Sequence, residues 1–114
     1  METVMENKNL KIAQDYYKGW ETSNKELLKI SPELKFSSPD GNFHTAQEFL
    51  DLCWQFSGIP MHNKVFLSGG DNVCMKYDFT LPDGTVKSMV EWLTIKGGII
   101  IEIQVFYEKT IEIL

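Results

Sequence analysis

The chain has 114 residues, close to the commonest domain size, so one hydrophobic core is expected and a second domain has no room. Apolar residues make up 43% and charged residues 24%, the composition of a globular protein rather than a disordered, collagenous or membrane-spanning one. The net charge of -5, spread along the chain, repels phosphate backbones and argues against nucleic acid as a partner.

Met1 to Leu10 contains no apolar run of signal-peptide length, and no stretch approaches the roughly 20 apolar residues of a membrane helix, so a cytoplasmic protein without a membrane partner is expected. Leu10, Ala13, Tyr17 and Trp20 recur at helical spacing with Lys11, Asp15 and Lys18 between them, which predicts an amphipathic first helix whose last turn Gly19 weakens. Ser23-Asn24-Lys25-Glu26 reads as a capping box for a short second helix that stops before Pro32. Leu34 to Ser37 can form a strand, ended by the turn chemistry of Ser38-Pro39-Asp40-Gly41. Thr45-Ala46-Gln47-Glu48 is a second capping box; behind it Ala46, Phe49, Leu50, Cys53 and Phe56 line one face of a third helix, which Gly58 and Pro60 end.

From His62 onward the pattern changes to β-rich runs bounded by Gly69-Gly70, Asp83-Gly84 and Gly97-Gly98, all hairpin signals, which predicts a meander of four antiparallel strands. No linker or repeat interrupts residues 1–114. Three helices followed by an antiparallel sheet make a single α+β domain.

Motifs narrow the chemistry by elimination. There is no Gly-rich phosphate loop, no His-Glu-x-x-His and no Gly-x-Ser-x-Gly. His44 and His62 fall at surface or pocket-rim positions and make no metal set, so neither a metal nor a cofactor is expected. Cys53 and Cys74 lack metal-type spacing and lie in apolar stretches, which fits two free thiols in a reducing compartment; a single bridge between them is the alternative.

Strand parity assigns the sheet faces. If Gly97-Gly98 is a two-residue turn, Glu91 sits opposite Gln104; if Asp83-Gly84 is another, Lys76 sits opposite Glu91. One face then carries Lys76, Asp78, Glu91, Glu102 and Gln104 with Met89, Leu93, Ile95, Ile100 and Phe106. Its reverse carries Val73, Met75, Tyr77, Phe79, Val90, Trp92, Ile101, Ile103, Val105 and Tyr107, and hydrophobicity alone would bury that reverse against the helices.

Tyr16-Tyr17-x-x-Trp20, Phe36-x-x-Pro39-Asp40-Gly41, Glu48-Phe49, Glu91-Trp92-Leu93-Thr94-Ile95 and Val105-Phe106-Tyr107-Glu108 together resemble the nuclear transport factor 2-like superfamily over nearly the whole chain. Its members include SnoaL-like polyketide cyclases and ketosteroid isomerases. The resemblance implies a cystatin-like cone, three N-terminal helices packed on a curved antiparallel sheet around a pocket, often in a homodimer. It does not imply one reaction.

Through that resemblance Glu91 matches an inward acidic residue of the ketosteroid isomerase oxyanion hole, and Tyr16 matches its first-helix tyrosine. This favours the face bearing Glu91 as the interior and leaves the apolar reverse to be covered by a second chain, through Met75, Tyr77, Trp92, Ile103 and Val105. The isomerase's base would stand immediately before Pro39, where this chain has Ser38, whose hydroxyl has no useful basicity near neutral pH; Asp40 could substitute if its turn aims it inward. Glu91 would be ionised beside Lys76, or raised in pKa if it stands alone among Met89 and Leu93.

The expected site is Glu91, Tyr16 and Asp40 as candidate catalytic groups, with Ser38, Trp54, Lys76, Gln104 and Phe106 lining the pocket. Three functions remain open: binding of a small, largely apolar molecule; acid-base isomerisation or cyclisation of a carbonyl compound, though not ketosteroid isomerisation; and an adaptor role with a filled interior.

Overall fold

The computed structural model describes residues 4–107. Helix α1 runs Val4–Thr22 and turns Ile12, Ala13, Tyr16, Tyr17 and Trp20 into the core along one stripe. It ends in a left-handed cap. Ser23 takes φ +56°, and the Asn24 N–H donates back to the Gly19 carbonyl at 2.8 Å.

This cap removes the expected second helix. Ser23 closes α1, so its hydroxyl is not available to start another helix and donates to the Ser57 hydroxyl at 3.1 Å. Asn24 Oδ1 accepts from the Glu26 N–H instead, at 3.1 Å, and caps only a 3-10 turn, Lys25–Leu27. By Ile30 the chain is already in strand β1, Ile30–Ser38. Among the described residues there are therefore two α-helices where three were expected.

A short strand β2, Gly41–Phe43, folds back on β1 and leads into α2, Ala46–Cys53, which a 3-10 turn extends over Trp54–Phe56. The capping box at Thr45 forms: Thr45 Oγ1 accepts from the Glu48 N–H at 3.1 Å, and Glu48 Oε1 accepts from the His44 N–H at 3.0 Å. The predicted four-strand meander follows as β3 (Met61–Gly69), β4 (Asn72–Thr80), β5 (Val86–Lys96) and β6 (Ile99–Phe106). The sheet order is β2-β1-β6-β5-β4-β3. β1 runs parallel to β6, so the sheet is mixed rather than wholly antiparallel. Helix α1 packs on β3 and β4, and α2 on β1 and β2.

Two register details correct the face assignment. Asp83-Gly84 lies inside a five-residue connection, with Thr80 paired to Val86, not in a two-residue turn. Met75, not Lys76, therefore opposes Glu91; Met75 and Tyr77 point inward while Lys76 and Asp78 lie on the outer face. The other hairpin starts as expected, with Lys96 opposite Ile99, but the pairing shifts by one between Thr94 and Ile95. Glu91 thus faces Val105; Ile103 and Val105 are buried, and Glu102, Gln104 and Phe106 are carried to the outer face. Both competing expectations hold in part: the apolar residues of β4 and β6 are inside, and so is Glu91 of β5. No helix among the described residues is long and apolar enough to cross a membrane.

Gly19 is where α1 touches its own return segment. A Cβ there would lie 2.8 Å from the Asn24 carbonyl oxygen and 2.8 Å from Leu28 Cδ2. Alanine gains about 1 kcal/mol in helix propensity, but overpacking costs about 1–3 kcal/mol. Gly19→Ala should therefore lower unfolding free energy in a denaturant titration; a variant as stable as wild type or more so would show that the return segment yields.

Candidate functional site

The helices and the inner sheet face enclose a cavity of about 420 Å³. Its wall is mostly apolar and rich in aromatic rings, among them Tyr16 and Trp20 from α1, Phe36 from β1, Phe49 from α2, and Tyr77 and Phe79 from β4. Phe36 and Phe49 stack with ring centroids 4.6 Å apart, and Trp20 meets Phe49 edge-on at 5.7 Å. These contacts tie α1 and α2 to the strand beneath them. The Trp20 indole N–H is buried in this wall and, among the described side chains, is the buried polar atom without a hydrogen-bond partner.

Glu91 of β5 lines the same wall and is 7% exposed. Tyr17 of α1 donates its hydroxyl to Glu91 Oε1 at 3.2 Å, and Tyr77 of β4 donates to Oε2. Burial pushes the Glu91 carboxyl above its ordinary range, and the two tyrosine hydrogen bonds oppose that rise without cancelling it. Burial and the nearby Glu91 charge push Tyr16, Tyr17 and Tyr77 well above the usual phenol range. The same two causes raise the Cys53 thiol, which also lines the cavity, to about 11.

At the rim, the Tyr107 hydroxyl donates to Asp40 Oδ2, and the Lys87 ammonium sits 5.5 Å above the Tyr107 ring. Ser38 is held by its own turn: its hydroxyl donates to the Gly41 carbonyl at 3.0 Å and accepts from the Asp40 N–H at 3.2 Å. Leu52 and Phe56 line this side of the cavity while remaining 55% and 42% exposed, giving it an apolar lip.

Of the residues singled out from sequence, Glu91, Tyr16, Asp40 and Ser38 meet at this cavity. Lys76, Gln104 and Phe106 do not, because the register shifts place them on the outer face. Trp54 packs behind the wall, 4.8 Å from the Trp20 ring and beneath the Lys25 ammonium, rather than lining the cavity. Sequence reasoning missed Tyr17 and Tyr77 as partners of Glu91. Tyr17 had been placed on the core stripe of the first helix, and Tyr77 was lost to the slipped register. Among the described residues, no three His, Cys, Asp or Glu side chains converge as metal ligands would.

No protein-family model and no curated protein matches the sequence. Solved structures do match in shape. A nuclear transport factor 2-like protein of unknown function from Cytophaga hutchinsonii superposes with a TM-score of 0.78 at 14% identity, covering 95% of each chain. A candidate ketosteroid isomerase from Kribbella flavida gives 0.80 at 14% identity, covering 93% of this chain and 82% of that one. A candidate polyketide cyclase from Xanthomonas campestris gives 0.77 at 14% identity, covering 90% and 92%. The chain has the nuclear transport factor 2-like, cystatin-like α+β fold.

The raised pKa of Glu91 has a thermodynamic sign. Above 4.5, its ordinary value, the unfolded chain has released this proton while the folded chain still holds it, so the Glu91 contribution to stability falls as pH rises through the raised folded pKa. Glu91→Gln does not titrate there. The stability of the variant relative to wild type should increase with pH over that window in paired denaturant titrations, and a difference independent of pH would contradict the buried, raised carboxyl.

Proposed function

Proceeding from the nuclear transport factor 2-like fold, we propose that this protein binds a small, largely apolar molecule in the cavity between its helices and its sheet. The carrying observation is the cavity itself, about 420 Å³ with an aromatic wall and a few polar groups, a size and make-up typical of small-molecule sites. An adaptor working only through its surface would be expected to fill this space. Met89 lines the cavity, so Met89→Trp should fill part of it and weaken binding of the neutral fluorescent probe N-phenyl-1-naphthylamine by about tenfold or more. Unchanged probe affinity would count against the cavity as the binding site.

A second reading, proton-transfer isomerisation or cyclisation of a carbonyl compound, is favoured by two carboxyl groups in different settings. Glu91 is buried between tyrosines, whereas Asp40 is exposed at the rim and bonded by Tyr107. Such divergence is how acid and base roles are divided on one site. In this reading Tyr16 and a protonated Glu91 donate to the carbonyl oxygen and Asp40 moves the proton. Ser38 occupies the place of the isomerase base with its hydroxyl engaged in the turn, and a positioned base typically supplies about 10² to 10⁴ in rate. Wild type should therefore leave a β,γ-unsaturated ketosteroid unconverted; robust conversion would contradict this.

The outer sheet face supports a homodimer. Of the residues expected to meet a second chain, Met75, Tyr77, Ile103 and Val105 are buried inside and Trp92 alone is outside. Val65, Leu67 and Phe106 are exposed on the same outer face as Trp92, interspersed with Cys74, Lys76, Val90 and Gln104, and these exposed apolar side chains are what a second chain would cover. Wild type should sediment as a dimer at micromolar concentration and Trp92→Lys as a monomer, whereas a monomeric wild type would refute the interface. The free thiols Cys53 and Cys74 favour a cytoplasmic setting for it.

A further inference from the structure

We propose that the cavity selects an aromatic or otherwise hydrophobic amine, bound as its ammonium with the charge paired to Glu91 and set against the aromatic wall. This rests on the cavity-binding reading above and names its ligand class.

The first support is the missing counter-charge. Glu91 is buried, and none of the ion pairs among the described residues includes it. The groups whose charge interacts with it are Tyr16 and Tyr17 from α1, Cys53 from α2 and Tyr77 from β4, each of which is neutral or, if it titrates, negative. Lys76, the cation that strand parity had placed opposite Glu91, is on the opposite face of the sheet. Among the described residues lining the cavity the cation is Lys87, which lies at the rim over the ring of Tyr107, the tyrosine whose hydroxyl donates to Asp40. A buried carboxylate without a cationic partner is costly, and a ligand that carries the missing positive charge removes that cost.

The second support is hydrogen-bonding capacity. Each Glu91 oxygen accepts one tyrosine hydroxyl, and a carboxylate oxygen has room for a further donor. An ammonium N–H can therefore add to the pair of tyrosine bonds without displacing either. The third is the wall. Tyr16, Trp20, Phe36, Phe49 and Tyr77 surround the space beside Glu91, and aromatic faces attract a desolvated ammonium. An anionic ligand meets repulsion from Glu91 at the same point. A neutral ligand of the same shape gains the apolar contacts but leaves the carboxyl unpaired.

Three probes of one shape separate these cases: naphthalen-1-ylmethanamine, naphthalen-1-ylmethanol and naphthalene-1-carboxylate, titrated calorimetrically into wild type and Glu91→Gln at neutral pH. Wild type should bind the amine on the order of tenfold more tightly than the alcohol, and the carboxylate least. In Glu91→Gln the preference for amine over alcohol should disappear. Equal affinity of amine and alcohol in wild type, tightest binding of the carboxylate, or a preference that survives Glu91→Gln would overturn the inference while leaving the cavity-binding reading intact. Binding of none of the three to wild type would overturn both. The wild-type comparison alone decides the amine preference should the variant fail to fold.

Discussion

The inner side of this molecule is organised around one buried carboxyl group. Glu91 stands in the middle of β5 and accepts a hydroxyl from Tyr17 on α1 and another from Tyr77 on β4. A hydrogen bond to a charged group contributes about 1.5–3 kcal/mol, against a penalty of several kcal/mol for a buried ion. The two bonds can thus offset much of the burial, provided that helix and sheet keep their relative position. Polar satisfaction here specifies how α1 lies across the sheet, where apolar packing alone would tolerate sliding.

That constraint explains why a cavity survives beside a dense core. Val73, Leu93, Ile95, Ile100 and Ile103 fill one part of the interior completely. Beyond Glu91 the side chains become large, flat and aromatic, and they meet edge-to-face or stacked rather than interdigitating. Rings fixed in this way cannot collapse into the remaining space without breaking contacts on both helices. The wall draws on β1, β4 and α2 and is apolar at its lip through Leu52 and Phe56. The polar groups at its two ends differ in kind: a sequestered carboxyl in the wall, and a solvated cluster of Asp40, Tyr107 and Lys87 at the rim.

Much of the fold could be read from the sequence because local chemistry and long-range packing agree. The capping box at Thr45, the stripe from Ala13 to Trp20 and the glycine-bounded meander all form. The failures share a cause in connections whose geometry residue types do not fix. Asp83-Gly84 has the residues of a two-residue turn, yet Leu81 and Thr85 hydrogen-bond across a wider loop, Leu81 N–H to Thr85 O at 2.8 Å, and one residue of slip exchanges the faces of β4. The shift between Thr94 and Ile95 does the same to the outer half of β6. Glu91 does face inward, as the family resemblance implied where hydrophobicity alone pointed the other way, and Leu93 and Ile95 are fully buried on the same side of β5. The tyrosines bonded to Glu91 were not recognised as its partners: Tyr17 reads only as a core residue of the first-helix stripe, and Tyr77 fell on the wrong face through the slipped register.

The tyrosine clamp and the selection of a charged ligand both depend on Glu91 being a desolvated carboxyl in the cavity wall. The direct measurement is a carbon-detected NMR titration of its side-chain carboxyl, assigned by comparison with Glu91→Gln. A midpoint above the ordinary 4.5 is the expected result. A midpoint at or below that value would mean a solvated or cation-paired group, and would contradict both the buried tyrosine clamp and the site built upon it.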